Sequence, residues 1–224
     1  MEKLILIIYV LIAGLRINDY KQSKIQHYIS SNLHLNSKEK IYFQEHFYLF
    51  NYESEIRQKI IQYKFQEKSY LYKTLAKLFI EDENFKNFIS NYNCITCVPL
   101  HKKRLKTRGY NQCELIAKEI ASYFWIPFCK NLLVKNTNIV AQSTLNREDR
   151  QKNISNAFSI NLDSWKHFCS EHNNLNQKHL QLSSNPSIAI FDDIFTTGAT
   201  ANECAKFLSK LGLSKIGIIT IAKD

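Results

Sequence analysis

The sequence predicts an α/β fold in which a mostly parallel sheet is flanked by helices, with an N-terminal extension. Two stretches carry this expectation. Toward the C-terminus, "SIAIF" (187–191), "ANECAKFLSKLG" (201–212) and "KIGIITIA" (215–222) read as strand, helix and strand. Short apolar runs of this kind suit strands buried on both faces, and two parallel strands joined through a helix form a right-handed crossover. Upstream, the β-prone run "YNCITCVPL" (92–100) stops near Pro99 and is followed by "QCELIAKEIASYF" (112–124), which sets Cys113, Ile116, Ala117, Ile120 and Phe124 on one helical face.

The other elements follow in order. "LILIIYVLIAGL" (4–15) is apolar, but as a helix it would reach only about 18 Å against a hydrocarbon core of roughly 30 Å. It is expected to be a buried strand or helix rather than a span or a secretory signal, with peripheral membrane contact as the alternative. "IYFQEHFYLF" (41–50) alternates enough to suggest a strand. "ESEIRQKIIQYKF" and "SYLYKTLAKLFI" then place Ile56, Ile60 and Tyr63, and Leu71, Leu75, Leu78 and Phe79, at helical spacing. The segment 161–187 is polar and reads as a surface excursion. Its His167, Cys169, His172 and His179 are not expected to bind metal.

Composition narrows the class. The chain has 224 residues, 45% hydrophobic and 22% charged, which suits one folded domain rather than disorder. The net charge of +10 favours anionic partners. Lys, Ile and Asn are abundant, a bias that genome composition alone can produce, so general basicity argues weakly for DNA. The six arginines say more: Arg104, Arg108, Arg147 and Arg150 fall in two short stretches, with only Arg16 and Arg57 elsewhere. Six scattered cysteines suit reduced, mostly buried thiols in a cytoplasm. "CITC" (94–97) has no second pair to complete a four-ligand zinc site, so its expected role is structural, with redox or metal binding as alternatives.

Three segments bear chemistry. "HKKRLKTRGYN" (101–111) reads as a loop with five cations between Lys102 and Arg108, feeding directly into a helix whose free N–H groups favour anions. A solvated charge run is the plainer reading. In the second, Arg147 and Arg150 lie one helical turn apart, although Glu148 and Asp149 are local partners that would neutralise them. In the third, "IAIFDDIFTTGAT" (188–200), a strand leads into two aspartates and a Thr-Gly turn ahead of a helix. Thr196, Thr197, Gly198, Ala199 and Thr200 offer the amides and hydroxyls that a phosphate needs, with one glycine where the chain takes positive φ or passes close to the ligand. Asp192 and Asp193 repel phosphate, and so fit a ligand that also carries hydroxyls or a metal, as a ribose 5-phosphate does. Neither the G-x-x-x-x-G-K-[ST] order nor G-x-G-x-x-G occurs.

That thirteen-residue string resembles the phosphoribosyl pyrophosphate (PRPP) signature of type I phosphoribosyltransferases. With "VPLHKKRLKTRGYNQCELIAKEIA" and "QSTLNREDRQKNISNAF" before it, the chain from about Tyr52 onward resembles the ComF family, associated with competence for natural transformation. The resemblance implies a type I phosphoribosyltransferase fold over 46–224, with 1–45 as a separate N-terminal segment. Asp192 and Asp193 would be the catalytic pair holding the ribose 2- and 3-hydroxyls, and Thr196, Thr197, Gly198, Ala199 and Thr200 would cradle the 5-phosphate. The corner from Pro99 through Leu100, His101 and Lys102 would meet pyrophosphate, helped by Arg104 and Arg108, and Arg147 and Arg150 would belong to a mobile hood. Mg²⁺ would come with PRPP, bridging pyrophosphate and ribose hydroxyls without direct protein ligands. Implied partners are PRPP or another ribose 5-phosphate, single-stranded DNA and DNA-uptake proteins. A binding protein that senses PRPP or contacts DNA is the alternative to an enzyme. Members of the family commonly begin with a cysteine-rich zinc module; no cysteine precedes Cys94 here, so no zinc is expected.

Overall fold

A computed structural model of the chain describes residues 24–27, 40–65, 69–136, 157–173 and 186–224. In chain order its elements begin with strands β1 (Lys24–His27) and β2 (Glu45–Asn51), then helices α1 (Ser54–Phe65), α2 (Leu71–Glu81) and α3 (Glu83–Ile89). Strand β3 (Cys94–Cys97), helices α4 (Lys102–Arg108) and α5 (Gln112–Tyr123), and strands β4 (Leu133–Lys135) and β5 (Phe158–Ile160) follow. The last elements are α6 (Leu162–Asn173), β6 (Ser187–Phe195), α7 (Ala199–Leu208), a 3₁₀ turn (Ser209–Leu211) and β7 (Lys215–Lys223).

The main sheet has the order β1-β2-β7-β6-β3. Only β1 runs antiparallel, against β2; the β2–β7, β7–β6 and β6–β3 pairs are all parallel. The apolar runs of β6 and β7 place them in the middle, covered on both faces. On one face Phe47, Phe191 and Ile219 pack with α1, α2, α3 and α5 through Ile60, Phe79, Phe85 and Ile116. On the other face Ile188, Ile190, Ile216 and Ile218 pack with Cys204 and Leu208 of α7, Phe158 of β5 and Phe168 of α6. This is an α/β fold with a largely parallel sheet flanked by helices. No helix among the described residues is long and apolar enough to cross a membrane.

Several expectations change in detail. The basic segment 101–111 is not a loop: Lys102–Arg108 is helical, His101 caps it by accepting from the Lys103 N–H at 3.3 Å, and Gly109 ends it at φ 80°. Lys, Arg and Leu favour a helix, and no glycine or proline interrupts those seven residues. The polar excursion at 161–187 contains α6, anchored by Phe168 and by Trp165 stacked on it at 5.7 Å. Strand β6 runs on through both aspartates to Phe195, so the turn proper is only 196–198. Lys24–His27 joins the sheet as its edge strand. The apolar run 4–15, His179 and the Arg147–Arg150 segment lie outside the described residues.

"CITC" has a structural explanation. Side chains three apart on a strand point to opposite faces, and Cys94 packs in one core while Cys97 packs against the other. All six cysteines are free thiols, and burial raises the pKa of Cys94.

Candidate functional site

Parallel neighbours end on the same side of a sheet, which is where open α/β folds leave a crevice for ligands. Here the adjacent parallel strands β6 and β3 bring together the Thr196–Gly198 turn, the Leu100–Lys102 corner and the start of α5. Strand alternation also shifts at this point. Phe191 packs on the α5 face, but four residues later Phe195 packs on the α7 face, so the change of phase falls at the aspartates. That shift lets two consecutive side chains reach toward α5.

Asp193 is buried and well held. Its Oδ2 accepts hydrogen bonds from Lys64 Nζ and from Gln112 Nε2, each at 2.8 Å. Lys64 stands in the last turn of α1, where a cation also suits the helix dipole, and Gln112 is the first residue of α5. Burial would lower the pKa of Lys64, but the Asp193 carboxylate outweighs it and raises the value. Gln112 in turn accepts from Arg108 through its Oε1. A polar line thus runs from α4 through α5 to β6 and on to α1.

Asp192 has a different setting. Its Oδ1 accepts the Asp193 N–H at 2.8 Å and the Cys113 thiol at 3.7 Å. Burial, and then the neighbouring Asp193 charge, push its pKa up to about 7. The other oxygens, Asp192 Oδ2 and Asp193 Oδ1, have no hydrogen-bonding partner among the described residues.

The turn has the features of an anion cradle. Gly198 sits at φ 75°, the left-handed region that glycine enters at least cost, and α7 begins immediately after it. Thr197 Oγ1 accepts from the Ala199 N–H at 3.3 Å, tightening the turn. Thr196 is exposed, while Thr197, Ala199 and Thr200 are half-buried around it. In the corner after β3, Lys102 is exposed, and Leu100, His101, Arg104 and Arg108 are half-buried. Asn111 fixes the base of this region: its Oδ1 accepts from the Cys113 N–H at 3.1 Å and its Nδ2 donates to the Val98 carbonyl at 3.0 Å. Arg147 and Arg150 cannot be placed relative to the site, since they lie outside the described residues.

Three neighbours escaped sequence reasoning. Lys64 and Gln112 sat among ordinary helix residues. Lys135, on β4, feels both aspartates and Arg104; burial lowers its pKa, and Asp192 partly opposes that. For Gln112, its place immediately before Cys113 at the head of a predicted helix was an available signal.

The ligand atoms of Cys113, Asp192 and Asp193 lie within 4.8 Å of one another. This set does not suit Mg²⁺ as direct ligands. Mg²⁺ prefers hard oxygens, the buried thiol is held protonated, and the Lys64 ammonium already occupies one Asp193 oxygen.

No family model matches the chain. It is similar to "Competence protein F" of Haemophilus influenzae, 29% identical over 167 residues, which cover 73% of this chain and 66% of that protein. It is similar to "DNA utilization protein YhgH" of Escherichia coli K12, 22% identical over 171 residues, covering 75% and 67% respectively. The protein of that name in Salmonella typhimurium is 24% identical over 160 residues, covering 70% and 62%. The chain therefore spans about two thirds or less of the length of these relatives. Among solved structures, adenine phosphoribosyltransferase from Thermoanaerobacter pseudethanolicus is similar at 15% identity and a TM-score of 0.33, over 66% of this chain and 84% of that one. Over roughly three quarters of its length, this chain is similar to proteins named for competence and for DNA utilization.

Proposed function

We propose that this chain has a type I phosphoribosyltransferase fold and binds PRPP, or another ribose 5-phosphate, at the carboxyl ends of β6 and β3. The observation that carries this reading is two adjacent carboxylates, each with one oxygen lacking a partner among the described residues, at the end of the strand that leads through Ile194 and Phe195 into a Thr-Gly turn opening a helix. The relatives' names supply only competence and DNA use; to these we add a cytoplasmic setting, with single-stranded DNA and DNA-uptake proteins as partners.

The reaction we assign is transfer of the phosphoribosyl group from PRPP to a nitrogen acceptor. The bond from ribose C1 to the pyrophosphate oxygen breaks, a C1–N bond forms, pyrophosphate leaves with the bonding electrons, and the acceptor's N–H proton passes to solvent. Asp192 Oδ2 and Asp193 Oδ1 orient the ribose hydroxyls. The amides and hydroxyls from Thr196 to Thr200 hold the 5-phosphate, with the α7 N-terminus favouring its charge. The Leu100–Lys102 corner, Arg104 and Lys135 stabilise charge growing on pyrophosphate. Mg²⁺ carried by the ligand supplies further charge neutralisation.

Thermal melting tests the reading. PRPP with Mg²⁺ at about 100 times its Kd should stabilise the chain by about 2.7 kcal/mol, and Asp193→Asn or Thr197→Ala should shrink that gain. No shift at millimolar PRPP would overturn the proposal. Pyrophosphate release across a panel of nucleobases and amines then separates turnover from binding alone.

A further inference from the structure

We infer that Lys64 and Gln112 are positioning residues: together they clamp one oxygen of Asp193 so that the other is presented, in a fixed plane, to a ribose hydroxyl. This rests on the reading that the site takes a ribose 5-phosphate. An ion pair alone would neutralise Asp193 without fixing the plane of its carboxylate. Two donors from different helices, both at 2.8 Å and both on Oδ2, do more. Rotation of the carboxylate about its last bond would break both contacts at once.

The clamp is itself braced. Tyr63, next to Lys64 on α1, donates its hydroxyl to the Gln112 backbone carbonyl at 2.8 Å, and Arg108 donates to Gln112 Oε1. The first contact ties α1 to α5, and the second sets the Gln112 amide so that its Nε2 faces Asp193. Arg108 therefore acts on the ribose end through Gln112, and couples the basic helix α4 to the carboxylate that reads the sugar. Asp192 lacks such a clamp: its bonded oxygen meets a thiol and a backbone N–H.

A purely structural ion pair and a positioning clamp differ in selectivity. The test is titration calorimetry of the full chain with ribose 5-phosphate and with its 2-deoxy and 3-deoxy analogues. The wild type should prefer the full sugar over the analogue lacking the hydroxyl read by Asp193 by about tenfold or more, the scale of a hydrogen bond to a charged group. Lys64→Met should bring that ratio down toward one, and Lys64→Arg should restore most of it. Gln112→Leu, which keeps the ion pair, should lower the ratio too, and carries the test if Lys64→Met fails to fold by circular dichroism. An unchanged ratio in the folded variants, or an equal loss of affinity for all three sugars, would overturn the inference while leaving the ligand assignment intact. If the wild type binds neither these sugars nor PRPP, the ligand assignment falls and takes the clamp with it.

Discussion

Asp193 has an ammonium and an amide on one oxygen, whereas Asp192 beside it has a thiol and a backbone N–H. Burial, and then the charge of Asp193, set how Asp192 responds to pH. Asp192 is raised from its ordinary 3.8 to about 7, so between these values the folded chain keeps a proton that the unfolded chain releases. Its stabilising contribution is fully present below about pH 3.8 and is lost as pH rises toward 7. His46 acts in the opposite sense. Burial, and then the charge of Lys223, lower its pKa to about 3, so its contribution is present above about 6.5 and is lost as pH falls toward 3. The ring is stacked on Phe195 with Nε2 2.8 Å from Thr220 Oγ1, while Nδ1, an atom shut off from solvent, has no hydrogen-bond partner among the described residues. We expect Asp192→Asn to be more stable than the wild type by about 1–3 kcal/mol above pH 7, with the two converging near pH 4. With Asp192 silenced, the acid limb of His46 stands alone, and stability should climb from pH 4 to about 6.5 and then level off. Urea denaturation across that range measures both, and parallel curves for the two proteins would refute the assignment.

At the scale of elements, Asn111 joins α5 to the end of β3 with two hydrogen bonds, one as cap and one to Val98. Asn111→Ala should cost about 1–3 kcal/mol in chemical denaturation, more than an exposed cap alone, because the Val98 carbonyl loses its donor inside the fold. Gly217 on β7 is needed for another reason: a methyl group there would overlap the ring of Tyr92, whose hydroxyl donates to Glu45 at 3.1 Å. Gly217→Ala should cost about 1–3 kcal/mol, and pairing it with Tyr92→Phe should not relieve the overlap, since the ring itself lies in the way. These elements also show what was legible in advance. β6, α7 and β7 could be read because apolar runs and Gly212 mark them locally, and the turn at 196–198 because its threonines and glycine adjoin the aspartates. Helix α6 was hidden, since its contribution to the core comes from few residues, chiefly Trp165 and Phe168, within a polar segment. Lys64 and Lys135 were hidden for a different reason: nothing near either in sequence hints at Asp192 or Asp193, and only the packing of α1 and β4 against the sheet end brings them close.

β7 and β6 have strands on both sides and helices on both faces, whereas among the described residues β1 lies at an edge and β4 pairs only with β5. Opening β6 or β7 requires disrupting both cores, so their amides should exchange with deuterium only through near-global unfolding, while those of β4, β5 and α6 exchange through smaller openings. Exchange followed by mass spectrometry checks this, and equal protection across the chain would count against it. The sheet order has one more consequence, which concerns how the molecule is made. His46 meets Thr220 across 174 positions, and β2 has no parallel partner except β7. During translation, β2 and the helices after it therefore leave the ribosome long before the strand that completes their sheet, and the nascent chain must keep Phe47, Leu49 and Phe50 from straying until β7 has emerged.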